Sequence, residues 1–331
     1  MSGFQGKEMT GNLKVFVVMP AYNESAHIGD VIRRIPAMVD KIIVVDDCSS
    51  DNTAEAAKMT GDLRVEVLRN EKNLGVGGAT VAGYRRAMAK DADIVVKIDA
   101  DGQMDPKMIG KLVRPIAEGS ADYTKGFRFH DRQTLRVIPK IRLIGNMGLS
   151  YLVKIASGYW NIFDPTNGFT AIHKTALSMI GVEKLSQDYF FETDMLCHLY
   201  RIQATVKDVS LPTHYGDEIS QLNPLKALMQ FPGKLFCAYV KRIIWRYYIV
   251  DFSTFSLLFP VGGLLMLFGI VFGGIKWYTH ALQGVATPTG TVMLAVVPLF
   301  VGFQMVLQAI LLDVNSVPKE PLQKEYADDE L

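Results

Sequence analysis

Two long uncharged runs near the C-terminal end of this chain constrain its fold more than any other feature. Phe252–Ile275 and Thr291–Leu312 contain no Asp, Glu, Lys or Arg. Each run is long enough to cross the roughly 30 Å hydrocarbon core of a bilayer. Buried core helices could share this composition, but two such runs following a complete α/β pattern favour two membrane spans. We therefore predict a transmembrane helix hairpin.

The segment before the first run is typical of helices that lie in a membrane interface. Leu225–Val250 interleaves aromatic side chains with basic ones, and a break is expected near Pro232–Gly233. The loop between the two runs carries a single charged residue, Lys276. By the positive-inside rule, the N-terminal domain and both chain ends are predicted to lie in the cytoplasm, at the plasma (inner) membrane. Gln304 and Gln308 share one face of the second span and indicate helix contacts, so we expect a homo-oligomer.

Composition excludes several classes of protein. The 331 residues carry a net charge of +1, whereas a general nucleic-acid binder would carry a basic excess, so no nucleic-acid partner is expected. Cys48, Cys197 and Cys237 are widely spaced and form no CxxC or His/Cys cluster, which argues against a disulfide framework and a zinc site. The first dozen residues lack an apolar run, so no signal peptide is predicted.

Between Lys14 and about Thr213, short β-branched runs alternate with helical segments. This order predicts an α/β domain with a mostly parallel, doubly wound sheet. The expected helices are His27–Ile35, Thr53–Met59, Gly78–Ala89 and Pro106–Ala117, and the expected strands are Val15–Met19, Lys41–Val45, Val65–Leu68, Ile94–Ile98 and Tyr123–Lys125. Ligands of such sheets bind outside the carboxyl ends of the strands. Polar motifs follow three of these strands, so one shared site is predicted.

The motif after the fourth strand is DADGQ. Asp99 and Asp101 are two residues apart, so on an extended backbone their side chains would point to the same side. Carboxylate oxygens suit Mg²⁺ or Mn²⁺, which proteins commonly share with substrate phosphates. A solvated turn is the alternative interpretation, because Asp and Gly are common in turns.

Two further strand ends carry polar groups, PAYNE (residues 20–24) and VVDD (residues 44–47). Tyr22 offers a flat face to a nucleotide base, and Glu24 can accept hydrogen bonds from a base or ribose. Asp47 is predicted to bind a base or ribose, although turn and cap roles also fit these residue types. The glycine-rich NLGVGGA (residues 73–79) lacks GxGxxG spacing, which disfavours a Rossmann or P-loop site. We predict a tight loop that a donor or another backbone segment can approach closely.

Taken together, PAYNE, VVDDCSSDNT, NLGVGGA and DADGQ resemble the family-two glycosyltransferases of the GT-A fold, over about residues 14–215. The chain looks most similar to the polyprenyl-phosphate glycosyltransferases, including the dolichyl-phosphate mannose synthases. The resemblance implies that Asp99, Asp101 and Gln103 place a divalent metal on the donor diphosphate. It also implies a nucleotide-sugar site made of Pro20, Tyr22, Glu24, Val45, Asp47, Asp99 and Ala100.

The middle of the chain is then expected to bind the lipid acceptor. Acidic residues are missing from Arg132 to Asn161, a stretch whose cations suit anionic lipid headgroups and a polyprenyl phosphate. The predicted acceptor-phosphate residues are Lys125, Arg128, Arg142 and Asn167, the last in the loop DPTNGF, residues 164–169.

Glu192 and Asp194 resemble the acidic pair of the family, in which the Asp is a base when the acceptor is a hydroxyl. They are accordingly candidate catalytic residues, together with Asp99 and Asp101. A phosphate monoester has a second pKa near 6 and is already anionic at neutral pH. We therefore predict that Asp194 orients Arg, Lys or donor hydroxyl groups, since a phosphate acceptor needs no base.

One stretch departs from the mannose synthases. In HYGDEISQL (residues 214–222), Asp217, Glu218 and Gln221 stand where those enzymes have cations, so a UDP-sugar donor is at least as well supported as GDP-mannose. The predicted reaction is inverting, metal-dependent transfer of a hexose from a nucleotide-sugar to a polyprenyl phosphate. A processive polysaccharide synthase is the runner-up, although the chain lacks a QxxRW motif. A non-catalytic membrane scaffold that binds nucleotide-sugars is the alternative from another class.

The resulting domain plan has five parts. It places a flexible N-terminus at 1–12, the GT-A domain at 13–222 and juxtamembrane helices at 223–251. A transmembrane hairpin at 252–312 and a polar cytoplasmic tail at 313–331, which is expected to be flexible, complete it.

Overall fold

The computed structural model describes residues 13–128, 140–211 and 224–327. The chain forms two compact units. The first contains residues 1–239 together with 318–331, and the second contains residues 240–317. The chain therefore leaves the first unit and returns to it after the two uncharged runs.

A seven-stranded sheet forms the centre of the first unit, in the order β3-β2-β1-β4-β6-β5-β7. The four strands β1 to β4 pair in parallel, as do β5 and β7, whereas β6 is antiparallel to both of its neighbours. The predicted mostly parallel α/β sheet is thus confirmed. The strands are Val15–Ala21 (β1), Lys41–Asp46 (β2), Val65–Arg69 (β3), Ile94–Lys97 (β4), Tyr123–Arg128 (β5), Thr170–His173 (β6) and Val206–Leu211 (β7).

The sequence pattern located the first five strands but not the last two. β1, β2 and β4 are continuous β-branched and apolar runs, buried on both faces as strands inside a parallel sheet are. β6 is only four residues long, and β7 alternates polar with apolar residues beside β5. Neither offered a long apolar run from which it could be predicted.

Helices cover the sheet. Amphipathic α4 buries Ile109, Leu112, Val113 and Ile116 in the main hydrophobic core. A 3₁₀ turn, Pro106–Met108, precedes α4, and another, Val182–Lys184, follows α6. The helices of the first unit are Ile28–Arg33 (α1), Thr53–Lys58 (α2), Gly75–Met88 (α3), Ile109–Ala117 (α4), Lys140–Ser157 (α5), Lys174–Met179 (α6) and Phe191–Arg201 (α7).

The second unit contains the two uncharged runs. Helix α8, Pro224–Ile244, runs through Pro232 without the break expected near Pro232–Gly233, because the neighbouring turns keep the helix continuous despite the missing N–H group. It enters this unit and continues as a π-helical segment, Trp245–Val250. Helices α9, Thr254–Leu282, and α10, Thr289–Asn315, are long and apolar enough to cross a membrane. Only 22% and 17% of their apolar windows are buried, unlike the core helices of a soluble protein.

The two apolar helices pack closely through small residues. A Cβ atom on Gly262 would lie 2.8 Å from the Gly302 carbonyl oxygen, so these glycines let the two backbones touch.

A buried ion pair lies in the same unit. Arg242 Nη1 and Nη2 donate to Asp313 Oδ1 and Oδ2 over 2.7 and 2.9 Å. The Tyr247 hydroxyl also donates to Asp313 Oδ1, over 2.6 Å. Both carboxylate oxygens of Asp313 therefore have donors inside the unit.

The segment after the hairpin packs on the first unit. Residues 318–327 belong to that unit and include a short helix, Leu322–Ala327 (α11). The backbone N–H groups of Leu322 and Gln323 donate to the buried carboxylate of Asp122, over 2.9 and 3.2 Å. The polar composition of this tail indicated a flexible segment, but Asp122 fixes its backbone. The sequence could not reveal so distant a partner.

Candidate functional site

The three polar motifs meet at one edge of the sheet. β2, β1 and β4 are adjacent and parallel, so their carboxyl ends lie side by side. The groups that follow them therefore share the site that the sequence predicted. Because β6 is antiparallel, its first residue, Thr170, pairs with Lys97 at the end of β4. The 164–169 loop, which leads into β6, thus reaches the same edge.

Hydrogen bonds tie the loop after β1 to the loop after β2. Asn23 N–H donates to Ser49 Oγ over 3.0 Å, and Ser50 N–H donates to Asn23 Oδ1 over 2.9 Å. Glu24 N–H donates to Thr53 Oγ1 over 2.8 Å. These contacts fix the two predicted nucleotide loops as one surface.

The predicted nucleotide residues occupy different positions on that surface. Pro20 and Val45 are buried within β1 and β2. The Tyr22 side chain is 49% exposed, as a base-stacking platform must be. Glu24 Oε2 lies 3.0 Å from His27 Nδ1 and accepts a hydrogen bond from it when that ring nitrogen carries a proton. Nucleotide binding by this set remains a prediction.

Asp47 binds backbone in the structure. Its carboxylate accepts hydrogen bonds from Leu74 N–H at 2.9 Å, Gly75 N–H at 2.8 Å and Asn70 Nδ2 at 2.7 Å. A carboxylate at this place also suits the positive end of the α3 helix dipole. Asp47 therefore fixes the start of α3, and the predicted contact with a base or ribose would be an additional role.

The glycine-rich segment at the start of α3 receives another backbone segment. Gly77 and Gly78 N–H both donate to the Gln187 carbonyl oxygen, over 3.0 and 3.2 Å. A Cβ atom on Gly77 would collide with the Ser186 carbonyl oxygen. The close approach predicted for NLGVGGA is thus made by the backbone of residues 186–187, which leads towards α7.

The DADGQ turn presents oxygen atoms beyond β4. The Asp99 side chain is 28% exposed, and Asp101 Oδ1 accepts from Gln103 N–H over 3.0 Å. Gly102 has a φ of +76°, and Ala100 is buried beneath the turn. Hard oxygens on a turn at the carboxyl end of a parallel strand fit Mg²⁺ or Mn²⁺.

A complete protein-only metal cage is not formed. Within residues 13–128, 140–211 and 224–327, no three His, Cys, Asp or Glu side chains form a cluster that could hold a metal ion. Asp99 and Asp101 could supply two carboxylates, and one or two carboxylates are the usual number where substrate phosphates complete the coordination of Mg²⁺.

Lys97, the last residue of β4, is a candidate site residue that the sequence interpretation missed. Its Nζ lies 2.8 Å from Asp99 Oδ1, 3.1 Å from Glu192 Oε1 and 3.4 Å from the Gly168 carbonyl oxygen. The side chain is 1% exposed. Burial alone would lower the pKa of Lys97, but the charges of Asp99 and Glu192 raise it above its usual value. A lysine within the apolar run IVVKI was the available signal.

The 164–169 loop lies on this cluster. A Cβ atom on Gly168 would be 2.7 Å from Lys97 Nζ and 2.9 Å from Asp99 Oδ2, so a larger residue there would displace these side-chain ends. The loop predicted to bind the acceptor phosphate therefore lies against Lys97 and Asp99, and its functional role remains a prediction. Asn167 Oδ1 accepts from Phe169 N–H over 3.0 Å and closes the turn.

Lys125 supports the same loop from within the buried part of the sheet. Its fully buried Nζ donates to the Asn167 carbonyl oxygen. Burial lowers the pKa of Lys125 to about 8. A direct contact between Lys125 and an acceptor phosphate, as predicted, would require the loop to move.

Glu192 and Asp194 lie in the first turn of α7 but have different neighbours. Glu192 faces Lys97, with a side chain that is 13% exposed. Asp194 Oδ2 accepts from Ser186 N–H over 2.8 Å, and Oδ1 lies 3.5 Å from His198 Nδ1. Burial would lower the pKa of His198, but hydrogen bonding to Asp194 raises it. Asp194 thus holds the segment that contacts α3.

Other predicted residues lie outside the described part of the chain. The side chains of Arg128 and Arg142 do so, as does the donor loop of residues 214–222. Their roles in acceptor and donor binding remain predictions.

Comparisons with known proteins identify the family. Residues 16–181, half of the chain, match the model of glycosyl transferase family 2. The chain is 31% identical over 218 residues to a UDP-N-acetylglucosamine–dolichyl-phosphate N-acetylglucosaminyltransferase of Methanococcus voltae, covering 61% of this chain and 86% of that protein. It is 33% identical over 177 residues to a dolichol-phosphate mannosyltransferase of Pyrococcus furiosus, covering 52% and 49% of the two chains.

Solved structures agree on the fold. Glucosyl-3-phosphoglycerate synthase of Mycobacterium tuberculosis in complex with UDP superposes with a TM-score of 0.54 at 23% identity, over 73% of this chain and 84% of that one. The same enzyme with Mn²⁺, UDP and glucosyl-3-phosphoglycerate gives a TM-score of 0.52 at 22% identity, over 72% and 83%. Sheet order, site position and sequence therefore lead to one conclusion: this chain is a glycosyltransferase that belongs to glycosyl transferase family 2 and has a GT-A type fold.

Proposed function

We propose that the protein transfers a sugar from a nucleotide-sugar to the phosphate of a polyprenyl phosphate at the cytoplasmic face of the membrane. One observation carries the proposal. The oxygen-bearing DADGQ turn, the 164–169 loop and Glu192 converge on Lys97 in a chain that also has two membrane-length apolar helices. The relatives named as dolichyl-phosphate and dolichol-phosphate transferases support the choice of a lipid phosphate.

The donor is proposed to lie across the ends of β1, β2 and β4. Tyr22 would stack on the base, and Glu24 and Asp47 would bind the base or ribose. The hydrogen bonds between the two loops keep this surface in place before the donor arrives. A UDP-sugar is the first donor to test, because the relative of which the chain covers 86% is named for UDP-N-acetylglucosamine.

Asp99, Asp101 and Gln103 would hold Mg²⁺ or Mn²⁺ against the donor diphosphate. When bound, such an ion neutralises the charge that develops on the leaving nucleoside diphosphate. Asp99 Oδ2 fits this role, because Lys97 engages the other oxygen, Oδ1. Gly168 of the 164–169 loop lies beside Asp99, so this loop would border the bound ion.

The acceptor phosphate is proposed to bind Arg128, the last residue of β5, and Arg142, in the first turn of α5. One of its oxygens forms a bond to the anomeric carbon while the bond from that carbon to the diphosphate oxygen breaks, which inverts the configuration. Because the attacking oxygen is already anionic, positioning matters more than proton removal. Asp194 accordingly has a positioning role, since its carboxylate holds Ser186 N–H.

We also propose that α9 and α10 span the membrane, with the first unit and both chain ends in the cytoplasm. An even number of spans returns the chain to its starting side. The contact between the tail and Asp122 supports this topology, because residues before and after the hairpin belong to one unit. We propose that the two spans also mediate a homo-oligomer.

The test is turnover of the purified full chain in nanodiscs. Mg²⁺ or Mn²⁺, a short polyprenyl phosphate and a panel of UDP- and GDP-sugars are supplied, and released nucleotide is detected. An Asp30→Ala variant should turn over like wild type, since the Asp30 side chain is 64% exposed on α1.

Release that requires both lipid and metal is the expected result, and it would also name the donor. Release that is equal without lipid would overturn the proposed acceptor. Donor binding without any release would favour a non-catalytic scaffold instead.

A further inference from the structure

A buried lysine joins three parts of the site that are far apart in the chain. Lys97 Nζ contacts Asp99 in the DADGQ turn, Glu192 in α7 and the Gly168 carbonyl in the 164–169 loop. The ammonium group has three N–H donors, and these three oxygens are available to accept them. Lys97 is therefore placed to fix all three parts at one point.

The charge balance of this cluster is uneven. One buried ammonium faces two carboxylates, those of Asp99 and Glu192. Among the described residues, neither Asp99 Oδ2 nor Glu192 Oε2 accepts a hydrogen bond. These three side chains alone therefore carry a net charge of −1 and leave two oxygen atoms for a second cation, and Lys125 is a further buried cation that acts electrostatically on Glu192.

Burial makes each of these charges matter. Coulomb interactions between charges a few ångströms apart are several times stronger in a protein than in bulk water. The ammonium attracts the two carboxylates and holds them near each other, but it also repels any cation that binds at Asp99. Its effects on geometry and on cation affinity therefore have opposite directions.

We infer that Lys97 is a positioning residue that holds Asp99 and Glu192 in their working places and weakens the binding of a divalent cation at Asp99. This inference rests on the proposed function for its account of turnover. It goes beyond that proposal because it assigns opposite effects on metal affinity and on turnover to one side chain. A purely structural lysine would not produce such a pair of effects.

The experiment compares the full-length wild type with Lys97→Met at pH 8. Methionine is close to lysine in length and carries no charge. Mn²⁺ affinity is measured by the electron paramagnetic resonance signal of free Mn²⁺, without donor or acceptor. Turnover of the nucleotide-sugar is measured separately, and the thermal midpoint reports folding. Lys174→Met is the matched control, because Lys174 pairs with Asp93 at 2.9 Å at the opposite edge of the sheet and is 55% exposed.

In Lys97→Met we expect Mn²⁺ to bind about 3- to 10-fold more tightly, since a nearby positive charge is gone. We expect turnover to fall about 100-fold or more, because small displacements of reacting groups cost that much. Lys174→Met is expected to change neither quantity by more than about twofold.

Two results would overturn the inference. The first is a Lys97→Met variant with the Mn²⁺ affinity and turnover of the control. The second is loss of Mn²⁺ binding together with turnover, which would make Lys97 a structural residue only.

A double variant guards against misfolding of Lys97→Met. Lys97→Met with Glu192→Gln removes one charge of each sign, so less charge is left buried and uncompensated. Its Mn²⁺ affinity is expected to return to within about threefold of wild type, and affinity that stayed at the level of Lys97→Met would contradict the role of Glu192.

The Mn²⁺ measurement also separates this inference from the proposed function. If wild type binds Mn²⁺ and Lys97→Met binds it more tightly, but no lipid-dependent transfer occurs, the effect on cation binding holds and the proposed reaction fails. If transfer occurs and Mn²⁺ affinity does not respond to Lys97, the reaction holds and the inference fails.

Discussion

The two units of this protein each contain a buried ion cluster, and the clusters are built differently. In the first unit, here called the catalytic unit, Lys97 lies between the carboxylates of Asp99 and Glu192. In the second unit, residues 240–317, here called the helical unit, Arg242 donates two hydrogen bonds to Asp313, and the Tyr247 hydroxyl adds a third donor. The first cluster has more negative than positive charge, whereas the second is balanced.

The difference separates a binding site from a structural contact. A balanced pair whose carboxylate oxygens both have donors carries no surplus charge that would attract a cation. Removing one partner of such a pair leaves a buried charge and is strongly destabilising. A cluster with surplus carboxylate oxygens at the edge of a sheet can take another cation. Substitutions are therefore expected to affect turnover in one unit and stability in the other.

The largest expected effect is that of Asp101→Ala in the catalytic unit. Loss of one of the two proposed metal carboxylates should reduce kcat by about 100-fold or more. The thermal midpoint should stay close to that of wild type, because Asp101 lies in a partly exposed turn. The effect is measured as steady-state turnover, with Asp30→Ala as the control variant. Normal turnover in Asp101→Ala would disprove the proposed mechanism.

Asp313→Ala in the helical unit should give the opposite result. Arg242 would remain buried without its carboxylate, so the free energy of unfolding should fall by about 3 to 5 kcal/mol. Turnover per folded molecule should change little. Asp251→Ala is the control, since Asp251 is 55% exposed and lies 4.0 Å from Arg246. A fully stable Asp313→Ala variant would mean that this pair does not stabilise the unit.

Asp194→Asn should have a moderate effect within the catalytic unit. Asparagine can still accept the hydrogen bond from Ser186 N–H, so we expect a loss of turnover of about tenfold, in line with one weakened charge-assisted hydrogen bond. The loss should be similar from pH 6 to pH 9. A variant that is inactive at low pH and recovers steeply at high pH would instead identify Asp194 as a base.

The smallest effect concerns stability and its dependence on pH. The pKa of Lys125 is about 8 in the folded protein, because burial disfavours its charge, against an ordinary value of 10.5. Below pH 8 the buried charge destabilises the fold, and this penalty disappears as pH rises from 8 to 10.5. Wild type should therefore gain thermal stability relative to Lys125→Met between pH 7 and pH 9.5. A pH-independent difference would contradict the low pKa.

Much of the fold could be predicted because its signals are local. The apolar runs of β1, β2 and β4 end at PAYNE, DD and DAD, and parallel pairing brings these ends together. The uncharged runs also corresponded to the helices α9 and α10. In both cases the residues that specify the structure are neighbours in the sequence.

The parts that could not be predicted depend on distant partners. Lys97 and Glu192 are 95 residues apart, and Asp122 is 200 residues from Leu322. Contacts between residues so far apart in the chain produce no periodic pattern in the sequence from which they could be predicted. Asp47 could be placed at the site from its motif, but not its hydrogen bonds to Leu74 and Gly75, which depend on how the α3 start folds back.

The most direct test of this account is the structure of the reaction product. The full chain is incubated in nanodiscs with Mn²⁺, a short polyprenyl phosphate and the best donor from the panel. The purified lipid is then analysed by ¹H and ³¹P NMR. The account predicts one sugar linked through its anomeric carbon to the lipid phosphate, with the configuration inverted relative to the donor. A retained configuration, or a sugar linked at any other position, would contradict it.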